Sequence, residues 1–143
     1  MPSTQMQTEA DAIAADLVSS QLRRHARRFS FPLLVYIGER IMILNNETQL
    51  LEALGLYRSI LSEEWLSRIT STVTDCDCET NGSCKISVRN RYFATDGRDL
   101  GTARINYYSE RTGADWKIRM VEYLEWPCPD RVAECLPLQL MMA

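Results

Sequence analysis

The fold is decided by residues 101–126, which read GTARINYYSERTGADWKIRMVEYLEW. Two runs of strand-forming residues, 102–110 and 116–126, flank the turn residues 112–115. Such runs around a short turn that contains glycine are typical of a β-hairpin. Strict alternation in the second run gives one face large apolar groups and a single carboxylate; this face carries Trp116, Ile118, Met120, Glu122, Leu124 and Trp126. We predict that this face is covered by helices and lines a cavity.

The two-residue period extends upstream of this hairpin. Residues 65–78 and 85–94 are predicted as long strands joined by a polar turn. Residues 33–37 and 40–44 are two short apolar runs joined around Gly38, which predicts a tight hairpin. The loops after residue 65 are too short to contain a helix, so the long strands should pair in antiparallel fashion.

Two helices are predicted before the long strands. Residues 9–29 carry an apolar stripe close to the 3.6-residue period, and residues 47–62 carry a second one. Asn46 followed three residues later by Gln49 is a capping-box pattern at the start of the second helix. The predicted fold class is α+β: a curved, mainly antiparallel sheet forms a cone, and N-terminal helices pack on its concave face.

The length and the charge of the chain limit the number of domains and the kinds of partner that it can have. A chain of 143 residues predicts one domain over 1–143, with a flexible lead-in at 1–7 and a Pro-rich tail at 127–143. The net charge of −3 argues against nucleic-acid binding. The absence of a long apolar run argues against a membrane span, and the acidic N-terminus does not resemble a secretory signal. A cytoplasmic location is therefore expected.

The cysteines are five in number: Cys76, Cys78, Cys84, Cys128 and Cys135. The first three fall at one hairpin end and could hold zinc if Cys128, Cys135 or an acid supplied a fourth ligand. However, Cys76 and Cys78 are only two residues apart along a strand, and no Cys-x-x-Cys pair occurs. The sequence therefore favours ordinary or reversibly oxidisable thiols, with no metal and no cofactor.

Candidate ligand-binding residues are polar and aromatic side chains on otherwise apolar strand faces, namely Tyr36, Asn90, Tyr92, Tyr107, Trp116, Met120 and Glu122. Glu122 stands out because a carboxylate enclosed by apolar groups holds its proton more tightly, as a general acid or base near neutrality must. The competing interpretation is that a bulge shifts the strand face, or that Glu122 forms a structural pair with an arginine.

His25 is the only histidine and lies at the edge of the first helix's apolar stripe. A single histidine in that position is more often a packing residue, but it could carry a proton with Glu122 or Tyr36 as partner. The catalytic candidates are therefore Glu122, His25 and Tyr36.

The sequence resembles the nuclear transport factor 2-like superfamily over residues 8–126. The resemblance is carried by FSFPLLVYIGERIMILNNETQLLEALGLYRSIL at 29–61 and by GADWKI at 113–118, which is similar to that superfamily's common G-x-W-x-I strand with one extra turn residue. It implies the cystatin-like α+β cone that also holds the polyketide-cyclase-like (SnoaL-like) and ketosteroid-isomerase-like proteins. It further implies a pocket and frequent homodimers. Catalytic members use an Asp or His with a Tyr in the pocket, and no motif of this sequence maps onto those positions.

Three functions follow as alternatives. The first is a small-molecule-binding cone domain whose apolar pocket takes a mid-sized apolar or aromatic ligand with one polar group. The second is an isomerase, cyclase or dehydratase with an acid/base in the pocket, so the sequence leaves enzymatic activity open. The third is a dimerisation or protein-interaction module. A homodimer through the sheet is expected, because Tyr108, Val121 and Tyr123 are predicted on the face that the helices leave uncovered.

Overall fold

The computed structural model describes residues 4–128 and 141–142. Its helices are α1 (Thr4–Val18), α2 (Leu22–Ala26) and α3 (Glu47–Glu63). Its strands are β1 (Phe29–Ile37), β2 (Arg40–Leu44), β3 (Leu66–Cys78), β4 (Ser83–Ala94), β5 (Asp99–Thr112), β6 (Asp115–Glu125) and β7 (Met141–Met142). None of the helices in this part of the chain has the length and apolar character needed to cross a membrane.

The strands form one sheet in the order β3-β4-β5-β6-β1-β2-β7. The β1–β6 pair is parallel, and the other pairs are antiparallel. The predicted α+β class with a mainly antiparallel sheet is therefore confirmed. Of the predicted tail, the structure describes Pro127, Cys128 and the short strand β7, which pairs with the edge of β2.

The helices pack on the concave face of this sheet, where Leu33, Leu44 and Leu61 are almost completely buried. Helix α1 contacts β3, the edge strand, and Gln7 joins the two. The Gln7 side chain accepts a hydrogen bond from the Val73 backbone N–H (3.0 Å) and donates one to the Ser71 carbonyl (2.7 Å). The amide thus takes the place of a neighbouring strand and satisfies backbone groups that an edge strand leaves open.

The predicted cap of α3 is present in the structure. Asn46 Oδ1 accepts from the Gln49 backbone N–H at 2.9 Å, as the capping pattern requires. Gln49 Oε1 in turn accepts from the backbone N–H of Asn45 at 2.7 Å, one residue earlier than in a standard capping box. The cap fixes the start of α3 directly after the β1–β2 hairpin.

The single helix predicted at 9–29 is wrong in two respects. It begins at Thr4, within the predicted lead-in, and it divides into α1 and α2. Ser20 adopts φ 61°, its N–H donates to the Leu17 carbonyl, and the N–H of Gln21 donates to the Asp16 carbonyl. This pair of bonds is a Schellman ending, which usually has glycine in the left-handed position. Because serine occupies it here, the sequence carries no obvious stop signal.

After β6 the chain folds back against two glycines with positive φ. A β-carbon at Gly38, in the β1–β2 turn, would lie 3.2 Å from the Trp126 ring. A β-carbon at Gly101, at the start of β5, would lie 3.2 Å from Pro127 Cα. These close approaches, together with the backbone conformation, require glycine at both positions.

Candidate functional site

A mostly apolar cavity of about 90 Å³ lies between the helices and the concave face of the sheet. Helices α1 and α3 supply aliphatic side chains, and α2 supplies His25. The polar groups in its wall come from His25, Asn90, Tyr57, Tyr92, Tyr107 and Tyr123. None of the described residues that line it is a carboxylate.

His25 is buried in this wall, with 6% of its surface exposed. Burial, and to a smaller extent the positive charge of Arg28, lower its pKa to about 4, against weaker opposing effects of Asp16 and a hydrogen bond to the Ile13 backbone. The imidazole is therefore neutral at pH 7. Its ring also packs against Phe29, with 5.3 Å between ring centroids.

Two buried polar atoms of the cavity residues have no hydrogen-bond partner: His25 Nδ1 and Asn90 Oδ1. Since Nδ1 has no partner, the hydrogen bond to the Ile13 backbone is assigned to the other ring nitrogen, which then carries the single proton of the neutral imidazole and leaves a lone pair on Nδ1. Asn90, 5% exposed, likewise presents a carbonyl oxygen. A buried group without a partner costs about 1–3 kcal/mol, so both atoms favour a bound hydrogen-bond donor.

The tyrosines of the cavity act as neutral groups. The Tyr57 hydroxyl donates to the Tyr92 hydroxyl at 3.1 Å, which joins α3 to β4 across the cavity wall. Burial raises the pKa of Tyr57, Tyr92, Tyr107 and Tyr123. Their hydroxyls therefore stay protonated near pH 7 and can hydrogen-bond a ligand, but they do not supply a phenolate.

Behind His25 lies a buried ion-pair network centred on Asp16, which is 2% exposed. Its carboxylate accepts from Arg24 Nε at 2.7 Å and from Arg28, and Arg28 Nε also contacts Glu9 at 3.0 Å. Burial alone raises the pKa of Asp16, but the hydrogen bonds from Arg24 and Arg28 outweigh it and hold the pKa below its ordinary value. The network fixes α2, and therefore His25, against α1.

The predicted site residues fall into two groups. His25, Asn90, Tyr92 and Tyr107 line the cavity together. Tyr36, Met120 and Glu122 do not line it, and Trp116 lines a second cavity of about 270 Å³. That second cavity lies between α1 and the far end of the sheet, with Glu9, Arg28, Asp115 and Cys84 in its wall.

The prediction that Trp116, Met120 and Glu122 share the cavity face is wrong because β6 carries a bulge. Ser109 pairs with Ile118 and Tyr108 with Met120, so Arg119 is an extra residue in the ladder. A bulge of one residue reverses the faces that follow it. Ile118 is buried on the concave side, and Val121 and Tyr123 line the cavity in place of Met120 and Glu122.

Glu122 lies on the outer face of the sheet in a polar cluster. Its Oε1 accepts from Asn106 Nδ2 at 2.8 Å and from the Tyr108 hydroxyl at 3.3 Å. Ser87 Oγ donates to Asn106 Oδ1 at 2.6 Å. Tyr36, paired with Glu122 across β1 and β6, lies on the same outer face. The prediction of a cavity acid/base made of Glu122 with His25 or Tyr36 therefore fails on geometry.

Sequence reasoning missed several residues of the cavity wall, namely Leu54, Tyr57, Ile105, Val121 and Tyr123. Leu54 and Tyr57 lie in the apolar stripe of α3, and Ile105 shares a face with Tyr107. These three residues could have been predicted from the sequence by assigning every residue of the same apolar face to the cavity. Val121 and Tyr123 depend on the bulge, which the alternation does not reveal.

The sequence matches no protein-family model and no curated protein. The fold does match solved structures. The protein Aln2 from a Streptomyces species aligns with a TM-score of 0.67 at 12% identity, over 94% of this chain and 98% of that chain. An NTF-2 like protein of unknown function from Shewanella oneidensis aligns with 0.59 at 14% identity, over 76% and 87%. An NTF2-like protein with a cystatin-like fold from Novosphingobium aromaticivorans aligns with 0.60 at 12% identity, over 88% and 84%. The predicted resemblance is confirmed at the level of the fold, which is all that identities this low establish.

Proposed function

Because the chain has the cystatin-like fold of the nuclear transport factor 2-like proteins, we propose that it binds a small, mostly apolar molecule in the cavity beside His25. The observation that carries the proposal is the pair of buried acceptors without partners, His25 Nδ1 and Asn90 Oδ1. Both point to a ligand with a hydrogen-bond donor, such as a hydroxyl or a ring N–H. We place this activity in the cytoplasm, as the sequence predicts.

The size of the cavity limits the ligand. Its volume of about 90 Å³ is below the roughly 150 Å³ of a dry engineered cavity that binds benzene. It is also below the roughly 300–1,000 Å³ of pockets for drug-sized molecules. The ligand we propose is therefore smaller than the mid-sized molecule expected from the sequence, unless side chains of the wall move on binding.

The chemistry of the wall favours binding over acid/base catalysis. A general base works best when its pKa lies near the operating pH, and the pKa of His25 is about 4. Burial raises the pKa of the cavity tyrosines further above pH 7, and none of the described lining residues carries a carboxylate. An isomerase, cyclase or dehydratase remains the alternative, and it would need a proton acceptor that this wall does not supply.

Pyrrole and furan are matched probes of the proposed donor preference, since both are five-membered aromatic rings smaller than benzene. Pyrrole presents an N–H to His25 Nδ1 or Asn90 Oδ1, whereas furan presents only an acceptor. We expect pyrrole to bind roughly fivefold more tightly, because one hydrogen bond contributes about 1 kcal/mol net. Titration followed by heteronuclear NMR measures both affinities.

Asn90→Leu should reduce the preference for pyrrole and preserve the binding of furan. Asn106→Leu is the matched control, because Asn106 is similarly buried (8% exposed) but lies on the outer face of the neighbouring strand. Equal affinity of the wild-type protein for the two rings would contradict the proposed role of the two acceptors, and an unchanged preference in Asn90→Leu would contradict the role of Asn90 Oδ1.

We also propose a homodimer through the outer face of the sheet. The residues predicted for this interface need correction, because Val121 and Tyr123 line the cavity and only Tyr108 lies outside. The strand pairing instead gathers partly exposed apolar side chains in an outer apolar patch made of Leu34, Tyr36, Ile41, Ile43 and Met120. A second copy would cover this patch, which the helices on the opposite face cannot reach.

Light scattering at micromolar concentration should give about twice the chain mass of 16.4 kDa. Met120→Lys places a charge in the outer apolar patch and should yield a monomer. Thr72→Lys, on the exposed edge strand β3, should leave the dimer intact. A monomeric wild-type protein would refute the dimer.

A further inference from the structure

Three cysteine thiols meet at the far end of the β3–β4 hairpin. Cys78 pairs directly with Cys84, and Cys76 pairs with Ile86. Cys84 and Ile86 line the second cavity, so all three thiols belong to the concave side of the sheet. Cys76 Sγ lies 3.6 Å from Cys78 Sγ and 4.0 Å from Cys84 Sγ. The structure joins Cys78 and Cys84 in a disulfide and leaves Cys76 as a free thiol.

The charges around this thiol cluster (Cys76, Cys78 and Cys84) favour a cation over a nucleophilic thiolate. Asp75 and Asp77 alternate with Cys76 and Cys78 along β3 and so lie on its opposite face, and Glu79 follows the strand directly; their negative charge acts on the cluster at longer range. Reactive thiolates are usually stabilised by neighbouring positive charge or a helix N-terminus, whereas carboxylates attract a metal ion.

The basic side chains nearest along the strands are engaged elsewhere. Lys85 Nζ lies 5.8 Å from the centre of the Tyr108 ring, on the outer face of the sheet. The guanidinium of Arg111 lies 5.1 Å from the centre of the Trp116 ring. Neither of these contacts turns a positive charge towards the thiols.

We propose that the reduced chain binds a thiophilic divalent ion of the zinc type through the thiolates of Cys76, Cys78 and Cys84. Zn–S bonds of about 2.3 Å in tetrahedral geometry separate two ligand sulfurs by roughly 3.8 Å. The two distances from Cys76 Sγ, 3.6 and 4.0 Å, lie on either side of that value. Formation of three S–metal bonds releases three thiol protons to solvent.

Cys135, considered above as a fourth ligand, lies outside the described residues, and we assign the fourth coordination position to water or another exogenous ligand. Within the described part of the chain the cluster contains no further Cys, His or carboxylate ligand. Cys128, considered above as a fourth ligand, contacts the Leu100 carbonyl at the opposite end of the β4–β5 pair. A site with three protein ligands is open in the manner of exchangeable or catalytic metal sites.

The disulfide and the metal compete for the same two sulfurs. Reduction of the Cys78–Cys84 bond by a thiol or phosphine transfers two electrons and, with two protons, yields two thiols whose protons a metal can then displace. The site therefore exists only in the reduced chain. It does not depend on the ligand cavity, whose wall contains none of these cysteines.

The test uses the C128S/C135S chain, which keeps the thiol cluster as its only cysteines. After reduction with a phosphine, titration with Cd²⁺ should produce ultraviolet sulfur-to-metal charge-transfer absorption that saturates at one ion per chain. Zn²⁺ added in excess should remove it. Prior oxidation with a thiol-specific diazene should prevent it.

C76S in the same background is the decisive variant, because Cys76 is half-buried and lies outside the disulfide, so its loss leaves the core intact. Loss of a group that only hydrogen-bonds to a metal ligand costs about 10–100-fold in metal affinity. Because Cys76 is proposed to bind the metal directly, we expect its loss to cost more than 100-fold. Absence of the absorption in the reduced chain, equal Cd²⁺ affinity in C76S, or equal binding by the oxidised chain would overturn the proposal.

Discussion

Asp16→Asn should lower the free energy of unfolding at pH 7 by about 3 kcal/mol, the lower end of the range for breaking a buried ion pair. The Asp16 side chain is 3% exposed and that of Arg28 is 19% exposed. An amide in place of the carboxylate would leave the Arg28 guanidinium largely buried, with only Glu9 as a charged partner. Urea denaturation followed by circular dichroism measures the change through the midpoint and slope.

Glu110→Gln is the matched control for this loss of charge. Glu110 pairs with Arg119 at 2.7 Å, yet the two side chains are 51% and 46% exposed. Exposed pairs contribute about 0–1 kcal/mol, so this variant should be close to wild type despite the short distance. If Asp16→Asn were no more destabilising than Glu110→Gln, burial would not be what gives the Asp16 network its strength.

The strand β6 illustrates what the alternation of a sequence can and cannot decide. The hairpin itself was predictable from the turn around Gly113, and β5 and β6 lie where the pattern placed them. Both faces of β6 carry apolar side chains, so the pattern tolerates either orientation beyond the bulge at Arg119. Register is weakly specified in such strands and is set by pairing with the neighbours.

The faces of strand β4, which is separated from β6 by β5, were predicted correctly for the opposite reason. Arg89 and Arg91 are exposed, whereas Asn90 and Tyr92 are buried, so one face is clearly polar. A strand with one polar face has only one favourable orientation, and a one-residue slip would bury both arginines. Two of the cavity residues therefore followed from the sequence alone.

The cysteines show a further limit of prediction from sequence. Their spacing along the chain argues against a metal site, because two positions on one strand resemble no zinc knuckle. The decisive contact is between β3 and β4, where Cys78 faces Cys84. The sequence places the three thiols at one hairpin end, but the cross-strand register that sets the distances between their sulfurs is a property of the folded sheet.

His25 should make the protein less stable in mild acid. Its pKa is about 4 in the folded chain, against 6.5 for an ordinary histidine. Between these values the unfolded chain binds more protons than the folded one, so stability is complete above pH 6.5 and decreases as the pH falls towards 4. For a single group with these pKa values, the free energy of unfolding should be about 2 kcal/mol lower at pH 5 than at pH 7. Urea denaturation at the two pH values measures the difference.

His25→Gln keeps a polar side chain at the cavity and removes the titration, so it should abolish most of this difference even if it lowers stability at both pH values. Measurement above pH 5 also separates His25 from Asp16. The lowered pKa of Asp16 preserves its contribution at every pH above its ordinary value of 3.8, and that contribution is lost only as the pH falls further. If His25→Gln retained the full pH dependence between 7 and 5, the imidazole would not be buried in its neutral form, and its Nδ1 would not be the acceptor on which the proposed ligand site rests.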